Sequence, residues 1–392
     1  MSMFQTQAEA LRSQLIDRRR DLHRHPELAF EEVRTAGVVA ETLNALGLEV
    51  RTGVGRTGVV GLLEGSQPGP VVLVRCDMDA LPIDEENDAP YRSQTPGRMH
   101  ACGHDGHTAI GLAVAQMLAD RRDHLRGAVK FAFQPAEEIG RGADAMIADG
   151  ALDDPRPDFC YGLHLWNDLP RGQVAITPGP FMAGADGLHI TVRGRGSHAA
   201  LPHQAADPVV AAAALVMALQ TVVSRSLSPL ETAVVSVTQI QAGTALNIIP
   251  EYVTLAGTIR TFRPEVRALV LERLQAVAAA AAAAHGCTAD VTVELLTQPV
   301  INDTALAGRL LERLRQSAPA LEYLTGFQTM AAEDVASFLN RVPGVFFFVG
   351  SADSARGLDY GHHHPRFDFD EDMLVTGAAL LAEAVAAHVL PQ

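Results

Sequence analysis

Read as a pattern of apolar and polar positions, the chain changes its grammar twice. Residues 7–25 carry helical periodicity, with Leu11, Leu15, Ile16 and Leu22 near one face and Pro26 closing the stretch. Residues 36–46 repeat the pattern and stop at Gly47. Short β-type runs follow at 48–52, 58–63 and 71–76. The last is apolar apart from Arg75, as expected of a strand covered on both faces. A helix over 108–119, a strand over 129–134, a short helix over 142–149 and an apolar strand over 159–165 come next. Strands alternating with helices predict an α/β unit with a largely parallel sheet.

Beyond Pro180 the order becomes strand 187–195, helix 207–225, strands 232–241 and 251–260, helix 264–285 and strand 288–296. That βαββαβ order predicts a four-stranded antiparallel sheet with two helices, the ferredoxin-like pattern. The α/β grammar then returns with helix 306–316, a buried-type strand at 345–349 and helix 371–390. The simplest reading is an α/β catalytic domain, residues 1–181 and 296–392, interrupted by an inserted α+β domain, residues 182–295. A chain of 392 residues exceeds what one core usually supports, which agrees with two domains.

Composition narrows the function classes. A formal net charge of −15 and only one Trp and five Tyr argue against a nucleic-acid partner. The four cysteines, Cys76, Cys102, Cys160 and Cys287, are too widely spaced for a disulfide framework. No stretch of sequence has the ~20 uninterrupted apolar residues of a membrane span. The first residues are polar and amphipathic rather than signal-like, so the expected location is the cytoplasm.

Chemistry-bearing residues collect at the predicted element boundaries. Cys102, His104, Asp105 and His107 lie just before a helix; Glu137 and Glu138 follow a strand; His164 stands inside an apolar strand; His362, His363 and His364 lie in a late loop. Taken singly, each has a plainer meaning. Glu137 and Glu138 could be a solvated pair at a helix start, His164 a satisfied core histidine, and the triple histidine an exposed loop. Together, thiolate, imidazole and carboxylate at strand ends form a donor set for first-row divalent ions.

The motifs RRDLHRHPE (19–27), RCDMDALP (75–82), MHACGHDGHT (99–108), FQPAEE (133–138), GLH (162–164), GRGSHAA (194–200), NIIP (247–250) and HHHPRFD (362–368) run in order over nearly the whole chain. This pattern resembles the hippurate hydrolase, aminoacylase-like carboxypeptidase and auxin–amino acid conjugate hydrolase family of co-catalytic metallo-amidohydrolases. The resemblance implies a dinuclear-metallopeptidase catalytic domain with an inserted lid that also dimerises. It implies two divalent metal ions (Mn, Zn, Co or Ni) held by Cys102, His104, Glu138, His164 and His363, with Cys102 between them. His363 is chosen because the family's ligand lies two residues before the proline; His362 and His364 are the alternatives. Asp77 stands where the wider group has a ligand histidine, and it is left out of the set.

The resemblance further implies Glu137 as general base, Asp79 as the carboxylate that orients a metal-bound group, and His198 as oxyanion donor. Asn247 and Arg260 are implied as holders of the substrate carboxylate. The expected reaction is hydrolysis of N-acyl-amino acids, hippurate-like or N-acetyl, to a carboxylic acid and a free amino acid. A dipeptidase or carboxypeptidase on short peptides is the alternative. A small-molecule substrate and a homodimer or homotetramer formed through the lid complete the expectation. A serine hydrolase is disfavoured, because no G-x-S-x-G elbow is present. Glu333 and Asp334 read as the start of a helix over 333–339, and His23 and His25 as the end of the first helix.

Overall fold

A computed structural model describes residues 2–391. It divides into two compact units, one of Met1–Phe181, Ile301–Gln328 and Asp334–Gln392, the other of Met182–Val300 and Thr329–Glu333.

The first unit is built on an eight-stranded sheet. Its strands lie in the order Glu49–Val54, Gly58–Glu64, Arg126–Gln134, Gln67–Asp77, Phe159–Pro170, Gly344–Ala352, Gln173–Ala175 and Glu322–Leu324. Arg126–Gln134, Gln67–Asp77, Phe159–Pro170 and Gly344–Ala352 run parallel to one another. Antiparallel pairing flanks them on both sides, through Gly58–Glu64 and Gln173–Ala175. In register, Val74 faces Phe131 and Tyr161, and His164 faces Phe348. The central strands are buried on both faces, which is why they read as apolar runs.

One apolar core joins Val72, Val74, Phe131, Phe133, Leu163 and Phe347 of the sheet to Ile110 and Leu112 of the His104–Ala119 helix and Leu380 and Leu381 of Asp372–Val389. At Gly111 a Cβ would lie 2.5 Å from the Cys76 sulfur, so that helix rests directly on the sheet. The single helix expected over 7–25 is two, Met3–Ala10 and Arg12–Arg24, broken at Leu11 with φ −92° and ψ 3°. Neither proline nor glycine marks the break, and the apolar stripe runs through it. The predicted helix at 333–339 is shortened to Ala336–Leu339. Asp334 is instead buried, accepting from Gln134 at 2.6 Å, the Ala143 N–H at 3.0 Å and Arg75 at 3.2 Å.

The second unit is a four-stranded antiparallel sheet in the order Ala233–Ala242, Tyr252–Thr261, Gly184–Arg193, Thr288–Thr297. Helices Pro208–Ser226 and Pro264–Ala283 pack against it, the ferredoxin-like arrangement. Its core gathers Leu188, Ile190, Leu215, Leu219, Leu255 and Leu274. Asp207 caps the first helix by accepting from the Val209 N–H at 2.8 Å, and Pro208 opens the first turn. Buried Asp186 accepts from Arg267 at 2.6 and 2.9 Å.

Two helices, Pro208–Ser226 and Asp372–Val389, are long and apolar enough by length and composition to cross a membrane, although neither is an uninterrupted apolar run. Asp372–Val389 is mostly buried in the first unit's core, and Pro208–Ser226 buries Ala211, Leu215, Leu219 and Val222 against its own sheet.

Candidate metal centre

Each of the four parallel strands delivers chemistry to one end of the sheet. Asp77 ends its strand, and Asp79 and Cys102 lie in the chain that leads from it to the His104–Ala119 helix. Gly103, at φ 92°, turns the chain into that helix, so His104 sits in its first turn. Glu137 and Glu138 form a 3₁₀ turn just beyond Arg126–Gln134. His164 lies within Phe159–Pro170, and the loop after Gly344–Ala352 carries His363, whose N–H donates to the Ala101 carbonyl at 2.8 Å.

Two triads result. Ligand atoms of Cys102, His104 and His164 all lie within 4.8 Å of one another, as do those of Cys102, Glu138 and His363. The triads share Cys102. The Glu137 carboxylate lies 3.9 Å from His104 Nε2, and His363 Nε2 lies 3.2 Å from Glu138.

Hydrogen bonding sorts the histidines by which nitrogen is free. His104 donates from Nδ1 to the Asp79 carbonyl at 2.9 Å, and His164 from Nδ1 to the Leu165 carbonyl at 2.7 Å. Both therefore turn Nε2, the nitrogen left for a metal, toward Cys102. His107 is used on both sides: Nδ1 donates to Asp77 at 2.6 Å and Nε2 accepts from the Leu165 N–H at 2.9 Å. His362 is likewise engaged, with Nε2 accepting from the Asn167 N–H at 3.1 Å and Nδ1 facing the Cys102 sulfur at 3.8 Å. Asp77 spends one oxygen on His107 and the other on Arg75, each at 2.6 Å.

The electrostatics fit a cation pair. Burial disfavours charge on His104, yet Asp77, Asp79 and Cys102 hold its pKa well above the ordinary value. Cys102 and Glu138 lift His363 to about 10. Burial, with His107 and His362 nearby, pushes His164 well down, and burial with Glu138 pushes the Cys102 thiol up. The negative charge gathered here is thus met by protons on His104 and His363, a task that divalent ions perform when bound. His104 Nε2 and Glu138 Oε1 are buried without hydrogen-bond partners, which costs about 1–3 kcal/mol each unless another group meets them. Thiolate, imidazole and carboxylate donors together suit zinc, manganese and their neighbours.

Asp79 supports this set from behind. Its Oδ2 accepts the Glu138 N–H at 3.0 Å, and its Oδ1 lies 3.3 Å from His104 Nδ1. Glu32, not singled out from the sequence, accepts the Ala136 N–H at 2.9 Å and holds that residue at φ 53° before Glu137. Nothing in the sequence separates Glu32 from exposed Glu31. His198, Asn247 and Arg260 belong to the second unit. His198 is exposed and accepts the Ala200 N–H on Nδ1 at 3.0 Å, while the Ala199 N–H donates to the Asn247 carbonyl at 3.0 Å. Arg260 is half-buried on Tyr252–Thr261 and bonds Thr258 and the Ile259 carbonyl.

A mixed α/β sheet whose parallel strands converge on a shared-thiolate pair of triads defines a metal-dependent hydrolase. Residues 73–387 match the profile of Peptidase family M20/M25/M40, and the chain belongs to that family. It is 39% identical to an N-acetyl-L-cysteine deacetylase of Bacillus subtilis, over 95% of this chain and 88% of that protein. It is 36% identical to the IAA-amino acid hydrolase ILR1-like 2 of Arabidopsis thaliana, over 95% and 84%. A dinuclear metal-binding M20 peptidase of Bacillus subtilis superposes with a TM-score of 0.84 at 34% identity, covering 97% of this chain and 98% of that one. The protein is therefore a metal-dependent amidohydrolase that acts on amide bonds.

Proposed function

We propose that this enzyme hydrolyses N-acyl-amino acids to a carboxylic acid and a free amino acid. Cys102, His104, Glu138, His164 and His363 hold the ions, with Cys102 between them. The observation that carries this reading is the pair of triads sharing Cys102, with the Glu137 carboxylate 3.9 Å from His104 Nε2 at their edge.

When bound, the ions lower the pKa of water and polarise the acyl carbonyl. Glu137 takes the proton from the attacking water and returns it to the leaving amine. Asp79 fixes the His104 ring through Nδ1 and the Glu138 backbone through its N–H. Because the Ala200 N–H occupies His198 Nδ1, the proton of the neutral ring lies on Nε2, the state needed to donate to an oxyanion. Asn247 and Arg260 receive the carboxylate of the amino acid, for which a guanidinium is well shaped. The deacetylase and the auxin-conjugate hydrolase among the relatives act, by name, on acylated amino acids, which supports this class, while thermostable carboxypeptidases of Saccharolobus solfataricus at 36% identity keep short peptides as the alternative. The exposed apolar residues Val210 and Met217, seven apart on the Pro208–Ser226 helix, support self-association through the second unit.

The test is a panel of N-acetyl, N-benzoyl, N-succinyl and indole-acetyl amino acids beside dipeptides, assayed with enzyme loaded in turn with manganese, zinc, cobalt and nickel. Cleavage of one or more acyl-amino acids well above the dipeptides is expected. Preference for dipeptides would replace the proposal with a peptidase, and no turnover with any metal would contradict it.

A further inference from the structure

His362 sits next to the proposed ligand His363 but is wired differently. Its Nε2 accepts the Asn167 main-chain N–H at 3.1 Å, so that nitrogen carries a lone pair and no proton. The one proton of the neutral ring is then on Nδ1, which faces the Cys102 sulfur at 3.8 Å, a normal range for a hydrogen bond to sulfur. The ring is held in this pose by Trp166, 4.5 Å away between centroids, and by Phe367 at 5.1 Å. Neither nitrogen is therefore available as a metal donor. In contrast, His363 turns Nε2 to Glu138 at 3.2 Å.

From this geometry we infer that His362 is a positioning residue that donates from Nδ1 to the Cys102 sulfur, fixing the thiolate and drawing charge from it. The inference rests on the reading of Cys102 as a metal ligand. A thiolate shared between two cations has lone pairs in several directions, and a donor on one of them selects which pairs face the ions. Hydrogen bonds to a ligand sulfur also lower its donor strength, a recognised way of tuning thiolate-bound metal. The Cys102 main-chain carbonyl is the other acceptor close to this proton. Only a bond to sulfur changes the sulfur's electronic energy, so spectroscopy separates the two.

Two substitutions divide the ring's functions. H362N places an amide N–H where Nδ1 stood and loses the acceptor for Asn167. H362Q places an amide oxygen near the Nε2 position and loses the donor to sulfur. Both are prepared as full-length protein loaded with cobalt, alongside wild type. The readout is the sulfur-to-cobalt charge-transfer band.

H362Q should move the band to lower energy, as expected of a thiolate freed of its donor, while H362N keeps the wild-type band. An unmoved band in H362Q overturns the inference, as do equal shifts in both variants, because the ring would then only be holding the loop. If H362Q does not fold, H362N alone decides: a band at the wild-type energy supports the inference and a shifted band overturns it. Absence of any charge-transfer band in the wild-type protein would instead overturn the ligand role of Cys102, and this inference with it.

Discussion

At the residue scale, three adjacent histidines have three environments. His363 Nε2 meets Glu138, His362 is closed on both nitrogens, and His364 accepts the Arg366 N–H on Nδ1 while stacking on Tyr360. Replacing His363 by alanine should therefore drop the metal content of the purified enzyme from two ions toward one, measured by plasma mass spectrometry. The same change at His364 should leave it at two. That candidate donors would gather was legible in the sequence because thiolate, imidazole and paired carboxylates rarely coincide at strand ends, while the choice of five came from the family resemblance. The supporting pairs were not. His107 and His362 are set apart by the N–H groups of Leu165 and Asn167, both on the strand that carries His164, and no local pattern announces those partners. Asp77 looks like a ligand by type, and only the structure shows its two oxygens bonded to Arg75 and His107.

At the scale of elements, the Arg12–Arg24 helix is tied to the rest of its unit by several polar side chains, Arg12, Arg20 and His23 among them, and Arg19 is the most deeply buried cation. Arg19 is fully buried and bonds Asp105 at 2.9 Å, Asp368 at 2.8 Å and Glu371 at 3.2 Å, with its face over Tyr91 and Phe369. Arg19→Met would remove the cation shared by Asp105, Asp368 and Glu371 and should cost about 3–5 kcal/mol in denaturant unfolding. The pH dependence follows from Asp368. Burial opposes its charge, but Arg19 together with the Tyr91 hydroxyl, His23 and the Phe369 N–H outweighs burial and holds its carboxyl below the usual range. A depressed folded pKa gives stability that is present above the unfolded carboxylate's value and lost as pH falls through the folded one. The stability difference between wild type and Asp368→Asn should therefore narrow on acidification; a gap that widens would contradict the pairing. Long periodic elements were readable from sequence to within a few residues. Three-residue strands such as Gln173–Ala175 and Glu322–Leu324 were not, because so short a run carries no period and owes its conformation to its neighbours in the sheet. The break at Leu11 also has no sequence signal.

At the scale of the whole molecule, the change from α/β to βαββαβ grammar and back made the insertion readable. The assignment of Thr329–Glu333 to the second unit was not readable, since that stretch lies beyond the inserted elements in sequence. The five proposed ligands span positions 102 to 363, so ions bound to the folded state alone should raise the unfolding temperature, and chelation should lower it. Since His104 and His363 are raised in the metal-free site, ion binding must displace their protons. Metal affinity should therefore fall as pH falls, with proton release visible as a buffer-dependent heat of binding; a heat independent of buffer would contradict this. In the proposed mechanism Glu137 moves the proton at a metal centre that it does not itself build. The most direct measurement is turnover of an N-acyl-amino acid together with metal content for Glu137→Ala. Two ions per chain and activity reduced by about 10²–10⁴-fold or more are expected. Turnover near the wild-type rate with both ions bound would contradict that mechanism.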